Sequence, residues 1–249
     1  MKKCKLCQQE KQLIKKSHIL SEFLHSDLFD KNHKLIKFDT ADLVKGNNRI
    51  SKPSSGEYEG GLLCDKCDNQ LLGKYETYIS NVLKNNLNSN EKINCQRTTN
   101  QNGMSFIKVE NLDFKKTKLF LLSLLWRAGI SSRKDYKEVQ LGPYQEKLRK
   151  QLYENDSLSD NDIQITILKF EKGTGYSSFI GQPRRHKSGY STNYSIIING
   201  YLIVYHFRDD KLSKLSKNDR LKENGELNIL EIPKNKVNNF VLTYTGIKK

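Results

Sequence analysis

Residues 60–76 read GGLLCDKCDNQLLGKYE. A Cys-x-x-Cys pair, Cys64 and Cys67, stands directly before a run with helical spacing. Leu71, Leu72, Tyr75, Ile79 and Val82 fall on one face of that helix, and Asp68 near its start suits the positive end of the helix dipole. Two thiolates cannot close a metal site alone. The other half is Cys4 and Cys7, and four thiolates in two such pairs suit a tetrahedral, structural Zn²⁺ site. With 56 residues between Cys7 and Cys64, the metal would tie a long insert at its base. Four unrelated reduced cysteines are the alternative, but two C-x-x-C pairs among five cysteines favour the metal. Cys95 lies in a polar stretch with no second thiol nearby and is left outside the site.

Composition bounds the rest. The chain has 249 residues, enough for one large domain or two small ones. Lys and Arg outnumber Asp and Glu by 43 to 28, a net charge of +15 that points to a polyanionic partner. A solvated surface in a Lys- and Asn-rich sequence is the plainer reading of the same charge. The N-terminus, MKKCKLCQQEKQ, has no apolar run behind its charges. The most apolar run, LFLLSLLW at 119–126, falls far short of the ~20 residues of a membrane span. The expectation is a soluble, cytoplasmic protein with no membrane partner, in which reduced thiols serve a metal.

Along the chain, QLIKKSHIL after the first knuckle alternates like a short hairpin, and Phe23, Leu24, Leu28 and Phe29 are spaced as one helical face. Residues 30–60 read as a polar, Gly-rich loop. His25 and His33 fall on this insert and are expected at the surface. The polar stretch 86–104 reads as a linker between a module at 1–85 and a second domain at 105–249. In that domain FIKVENL reads as a strand, LDFKKTKLFLLSLLWRAGISS as a buried helix with Trp126 in the core, and LGPYQEKLRKQLYEND as a further helix. Asn199-Gly200, between YSIII and YLIVYHF, marks a hairpin with a type I′ turn. IQITILKFEKG, LNILEIP and FVLTYTG read as additional strands. The fold class is therefore α+β, with helices first and an antiparallel sheet last. Arg184, Arg185, His186 and Lys187, with Tyr176, Phe179 and Tyr190 near them, form either a phosphate-gripping, base-stacking loop or a solvated one.

His18 follows Cys7 by eleven positions, and Glu76 follows Cys67 by nine. In this order (Cys-x-x-Cys, histidine, then Cys-x-x-Cys opening a helix) the chain resembles the zinc-containing branch of the HNH, or ββα-metal, endonucleases. The likeness spans residues 4–76. It implies a treble-clef zinc module, His18 as general base, and a catalytic Mg²⁺ or Mn²⁺ held with help from Asp68, Asn69 and Glu76. Imidazole titrates near neutrality, so it can take the proton of an attacking water. A hard divalent ion offsets charge on the phosphate. The sequence departs from the family at Ser17, where an acidic ligand is common, and at Asp68, where Asn is common; Asp68 is positioned to supply the missing carboxylate. Each residue also has a plainer reading: His18 as a core histidine, Asp68 as a helix-dipole charge, Asn69 as a cap, Glu76 as a partner of Lys74.

The resemblance implies a metal-dependent endonuclease acting on nucleic acid, expected to be double-stranded DNA, in restriction or phage defence, with a homodimer favoured for double-strand cutting. A non-catalytic zinc-knuckle nucleic-acid-binding protein is the alternative, and a protein-interaction module a third reading.

Overall fold

The computed structural model describes residues 1–38, 50–87, 92–101, 103–155, 159, 163–188, 191–207 and 218–245. β1 (Lys2–Lys3) pairs with β2 (Glu10–Lys11) around the first cysteine pair. Gln8, at φ 61°, makes the left-handed turn that closes this knuckle. The following QLIKKSHIL stretch does not fold back on itself. Leu13 bridges to Cys64, the Ile14 amide donates to the Leu63 carbonyl at 2.9 Å, and β3 (Ser17–His18) pairs with β6 (Tyr58–Glu59). Its partner is thus supplied from across the insert. Gly60 permits the approach, since a Cβ there would stand 2.5 Å from the Lys15 carbonyl oxygen.

Between those strands lie a 3₁₀ segment, Glu22–Leu28, and a small pair formed by β4 (Lys37–Phe38) and β5 (Ile50–Ser51). The Phe23–Phe29 stretch is therefore 3₁₀ rather than α. Its three-residue repeat stacks His25 over Glu22. His25 is buried, at 6% exposed, which corrects its reading as a surface residue, whereas His33 is exposed and stacks on Phe29. After Cys64 the chain enters a helix whose first part, Lys66–Leu72, is π-helical and whose remainder is α1 (Gly73–Lys84). The Gly73 amide reaches back five residues to the Asp68 carbonyl.

A seven-stranded sheet forms the other side of the molecule. Its strands are β7 (Asn94–Thr99), β8 (Ser105–Glu110), β9 (Gln164–Phe170), β10 (Arg184–Ser188), β11 (Ser191–Ile198), β12 (Tyr201–His206) and β13 (Leu227–Ile232), in the order β10-β11-β12-β9-β13-β8-β7. All neighbours are antiparallel except β13 and β9, so the sheet is mixed, and β7 and β8 precede the helices. β7 falls inside the stretch read as a linker. Every one of its residues is exposed, so it carries none of the alternation that marks a half-buried strand. Asn199 and Gly200 both take positive φ, 48° and 83°, at the expected hairpin turn.

α2 (Phe114–Ile130), capped by the Asp113 carboxylate on the Lys116 amide at 2.9 Å, and α3 (Pro143–Glu154) cover one face of the sheet. The other face lies under α4 (Lys234–Thr245). Of FVLTYTG, expected as a strand, the described part, residues 240–245, belongs to this helix. Val237, Phe240 and Val241 recur at helical spacing, and that period prevails over the β-propensity of the local run. Because both faces are covered, β9 and β12 send alternate residues to opposite sides. Ile203 and Tyr205 join one core, Leu202 and Val204 the other. The first core is continuous from Cys4 through Leu72, Trp126 and Leu148 to Ile229, so segments 1–85 and 105–249 share it. Among the described residues no helix is long and apolar enough to cross a membrane.

Candidate metal centre and active-site cleft

The sulfurs of Cys4, Cys7, Cys64 and Cys67 all lie within 4.8 Å of one another, with Cys7 Sγ 4.0 Å from Cys64 Sγ. A tetrahedral zinc with ~2.3 Å bonds requires about 3.8 Å between sulfurs, so the cluster fits such an ion. The Cys64 amide donates to Cys4 Sγ at 3.4 Å, and the Cys67 and Asp68 amides close the second knuckle on the Cys64 carbonyl at 3.0 Å. The thiols respond to one another: the hydrogen bond with Cys67 draws Cys4 down to about 4, and the same contact pushes Cys67 up. Four sulfurs this close cannot all ionise without a cation among them. Zinc in this position would join the N-terminal knuckle, residues 62–64 and the helix start. Cys95 is exposed and outside the cluster.

We expect one zinc per chain, and Cys64→Ser should release it. Losing a structural zinc removes several kcal/mol of folding free energy, enough to shift melting by on the order of 10 °C. Metal analysis and a melting curve on the same sample check this. A variant that keeps a full zinc complement and its melting temperature would remove Cys64 from the centre.

Beside the cluster opens a cleft of about 530 Å³ lined by His18, Glu22, Asp68, Asn69, Glu76 and Arg127. Four of these are the candidate residues named from sequence, carried by β3 and the π-to-α helix. His18 Nε2 lies 2.9 Å from Glu22 Oε2, which also accepts the Gly56 amide at 3.2 Å. A carboxylate on Nε2 fixes the proton there and leaves the Nδ1 lone pair as the basic position. Asn69 donates to Asp65 at 2.7 Å and sits at the rim.

Asp68 and Glu76 converge on one cation. Arg127, 2% exposed on α2, gives Nη1 to Glu76 Oε1 at 2.5 Å and Nη2 to Asp68 Oδ1 at 3.3 Å. The same two oxygens accept hydroxyls, Asp68 Oδ1 from Ser17 and Glu76 Oε1 from Ser21, each at 2.9 Å. Burial pushes the Asp68 carboxyl up from its ordinary range, against the pull of Arg127 and Ser17. Among the described residues the second oxygen of each carboxylate makes no hydrogen bond within the protein, so one or two ligands remain for a Mg²⁺-like ion, which keeps most of its waters.

Ser17, a poor metal ligand, thus orients Asp68. Sequence reasoning missed Arg127 and Glu22. Both left a trace: Arg127 is the lone charge in LFLLSLLWRAGI, a flag for a buried partner, and Glu22 stands four residues after His18. The basic run behaves differently from the expected loop. It forms edge strand β10, with His186 buried and Arg184 bound to Glu138 at 2.6 Å, while Arg185 and Lys187 remain exposed. Tyr176 packs on Phe170 at 5.6 Å, and Tyr190 lies outside the described residues. No family model, curated protein or solved structure matches the chain.

Proposed function

We propose that the chain is an HNH-type endonuclease with a treble-clef zinc module, which hydrolyses DNA phosphodiester bonds with the help of Mg²⁺ or Mn²⁺. The observation that carries this reading is the Glu22–His18 pair facing Asp68, Asn69 and Glu76 across one cleft. Glu22 holds the imidazole in place, and His18 Nδ1 takes the proton of the attacking water. Asp68 and Glu76, held by Arg127, are the residues that would hold the divalent ion. The ion, when bound, supplies positive charge to the phosphate and the leaving oxygen. The net charge of +15 favours a duplex DNA partner, and two such chains would serve a double-strand cut.

The test is plasmid cleavage by zinc-loaded protein with and without added Mg²⁺ or Mn²⁺, wild type beside Asp68→Asn. We expect cleavage that requires the divalent ion and a loss of about 100-fold or more in the variant, at unchanged zinc content. Cleavage indifferent to both metal and substitution would sink the assignment.

A second reading is a non-catalytic zinc-knuckle protein that binds nucleic acid. What favours it is Arg127, which already neutralises the two carboxylates, together with Ser17 in place of an acid. Such a protein shifts DNA mobility without divalent metal, with an affinity that falls steeply with salt, and cuts nothing.

A further inference from the structure

A second cavity of about 430 Å³ lies near the cleft. Gly56 lines this cavity, and its amide bonds to Glu22 of the cleft. A Cβ on it would stand 2.6 Å from the His25 ring. The apolar part of the wall is Leu20, Leu28, Leu35, Pro53, Phe179 and Ile180, and Asp27, Lys37, Ser55, Ser178 and Gln182 also line the space. They come from the insert and from the segment between β9 and β10, so only the assembled fold creates the space.

The floor is polar. His25, Glu57 and Tyr136 line it, and His25 and Tyr136 are 6% and 2% exposed. His25 Nδ1, Glu57 Oε2 and the Tyr136 hydroxyl are buried with no hydrogen-bond partner among the described residues. The Tyr136 hydroxyl faces the Glu57 carboxylate in a contact that falls short of full hydrogen-bond geometry, and the His25 ring stands in the same relation to the Ser21 and Glu22 backbone. Buried polar atoms are nearly always fully paired, and three that lack a well-formed hydrogen bond on one cavity floor mark a place for a ligand's polar edge.

The charges around the floor already compensate one another. Lys37 bonds to Glu57, and to Asp135 at 2.9 Å, and Arg133 stands 4.0 Å from Asp135. Burial lowers the His25 pKa and raises that of Tyr136, so both are neutral near pH 7. The vacant positions are thus one carboxylate acceptor and two neutral groups able to donate or accept, beneath walls whose apolar part includes an aromatic ring. A neutral, flat ring with N–H donors and acceptors along one edge satisfies them.

We propose that this cavity is a nucleobase pocket. Its base has two sources with the same chemistry: one turned out of the DNA strand held at the cleft, or that of a free nucleoside or nucleotide. The first rests on the endonuclease reading above; the second does not. In either case a base against His25 presses on Gly56, and through Glu22 on the orientation of His18.

The experiment uses full-length, zinc-loaded protein without added Mg²⁺ or Mn²⁺, so the result does not depend on cutting. Adenosine, guanosine, cytidine and thymidine are titrated by calorimetry. In parallel, DNA duplexes carrying 2-aminopurine at successive positions are followed by fluorescence, which rises when that base leaves the stack. Wild type is compared with Leu35→Trp, which fills the cavity, and with Tyr136→Phe, which removes one unpartnered oxygen and should leave the melting temperature unchanged. Nucleoside binding that weakens roughly 5–10-fold in Tyr136→Phe and disappears in Leu35→Trp identifies the free base. A fluorescence rise in wild type that both variants diminish identifies the turned-out base. No binding and no rise, or signals indifferent to both variants, would overturn the pocket. Binding that responds to the variants in a protein that never cuts DNA would leave the pocket standing and remove the nuclease.

Discussion

Arg127→Met should lower the midpoint of thermal unfolding by roughly 6–20 °C. Arg127 is 2% exposed and is the cation shared by Asp68 and Glu76. Methionine keeps most of the stem's volume, so the packing among α2 and its neighbours survives. What disappears is the charge, leaving two carboxylates facing a vacated site. Breaking a buried pair from one side costs about 3–5 kcal/mol, and a chain of this size shifts by ~2–4 °C per kcal/mol. The Asp68 and Glu76 side chains are 11% and 25% exposed, so water relieves part of the penalty and the lower half of the range is favoured. The triple variant Arg127→Met with Asp68→Asn and Glu76→Gln should regain more than half of the loss, because it leaves no charge unpaired. If Arg127→Met alone melted with the wild type, the guanidinium would hold nothing together.

The second large effect is on chemistry. Cleavage by His18→Ala should fall by about 10²–10⁴-fold, the usual contribution of a positioned base. The His18 side chain is 29% exposed and among the described residues bonds only to Glu22, so zinc content and melting should remain close to wild type. Glu22→Gln keeps the imidazole's neighbour but removes the anion that fixes its proton, and should lose less than His18→Ala. Single-turnover plasmid nicking at saturating Mg²⁺ measures both. Equal rates for His18→Ala and wild type would transfer the base to another group, or leave only the binding protein.

What could be read in advance followed from local spacing. Two Cys-x-x-Cys pairs at residues 4–7 and 64–67 meet in space, and the Asn199-Gly200 turn sits between two paired strands. The helix at 114–130 is where its apolar run placed it. What escaped depends on partners distant in sequence. β7 has no buried face, so no pattern marks it. The C-terminal FVLTYT run has strand-forming residues, but its helical period begins earlier, at Val237. His25 reads as a surface histidine until the insert folds Gly56 against its ring. The cleft was half legible: the family resemblance drew attention to His18, Asp68, Asn69 and Glu76, and these four line one cleft. Arg127 stood out only as a lone charge in an apolar run, and its partners could not be named because it reaches the site from a helix fifty residues further on.

The π-helical turns of Lys66–Leu72 set the aim of the two carboxylates. Asp68 and Glu76 are eight residues apart, and eight regular α-helical steps would leave them about 80° apart around the axis. One guanidinium could not then grip both from the side. A wider turn of roughly 4.4 residues advances each step by less, and over the four steps to Leu72 this removes most of that angle. Both acids therefore rise from nearly the same line of the helix, one above the other. The single extra residue in that turn acts as a gear tooth: it re-times the cylinder so that Cys67 engages the knuckle while the acids one and nine residues on point together at Arg127.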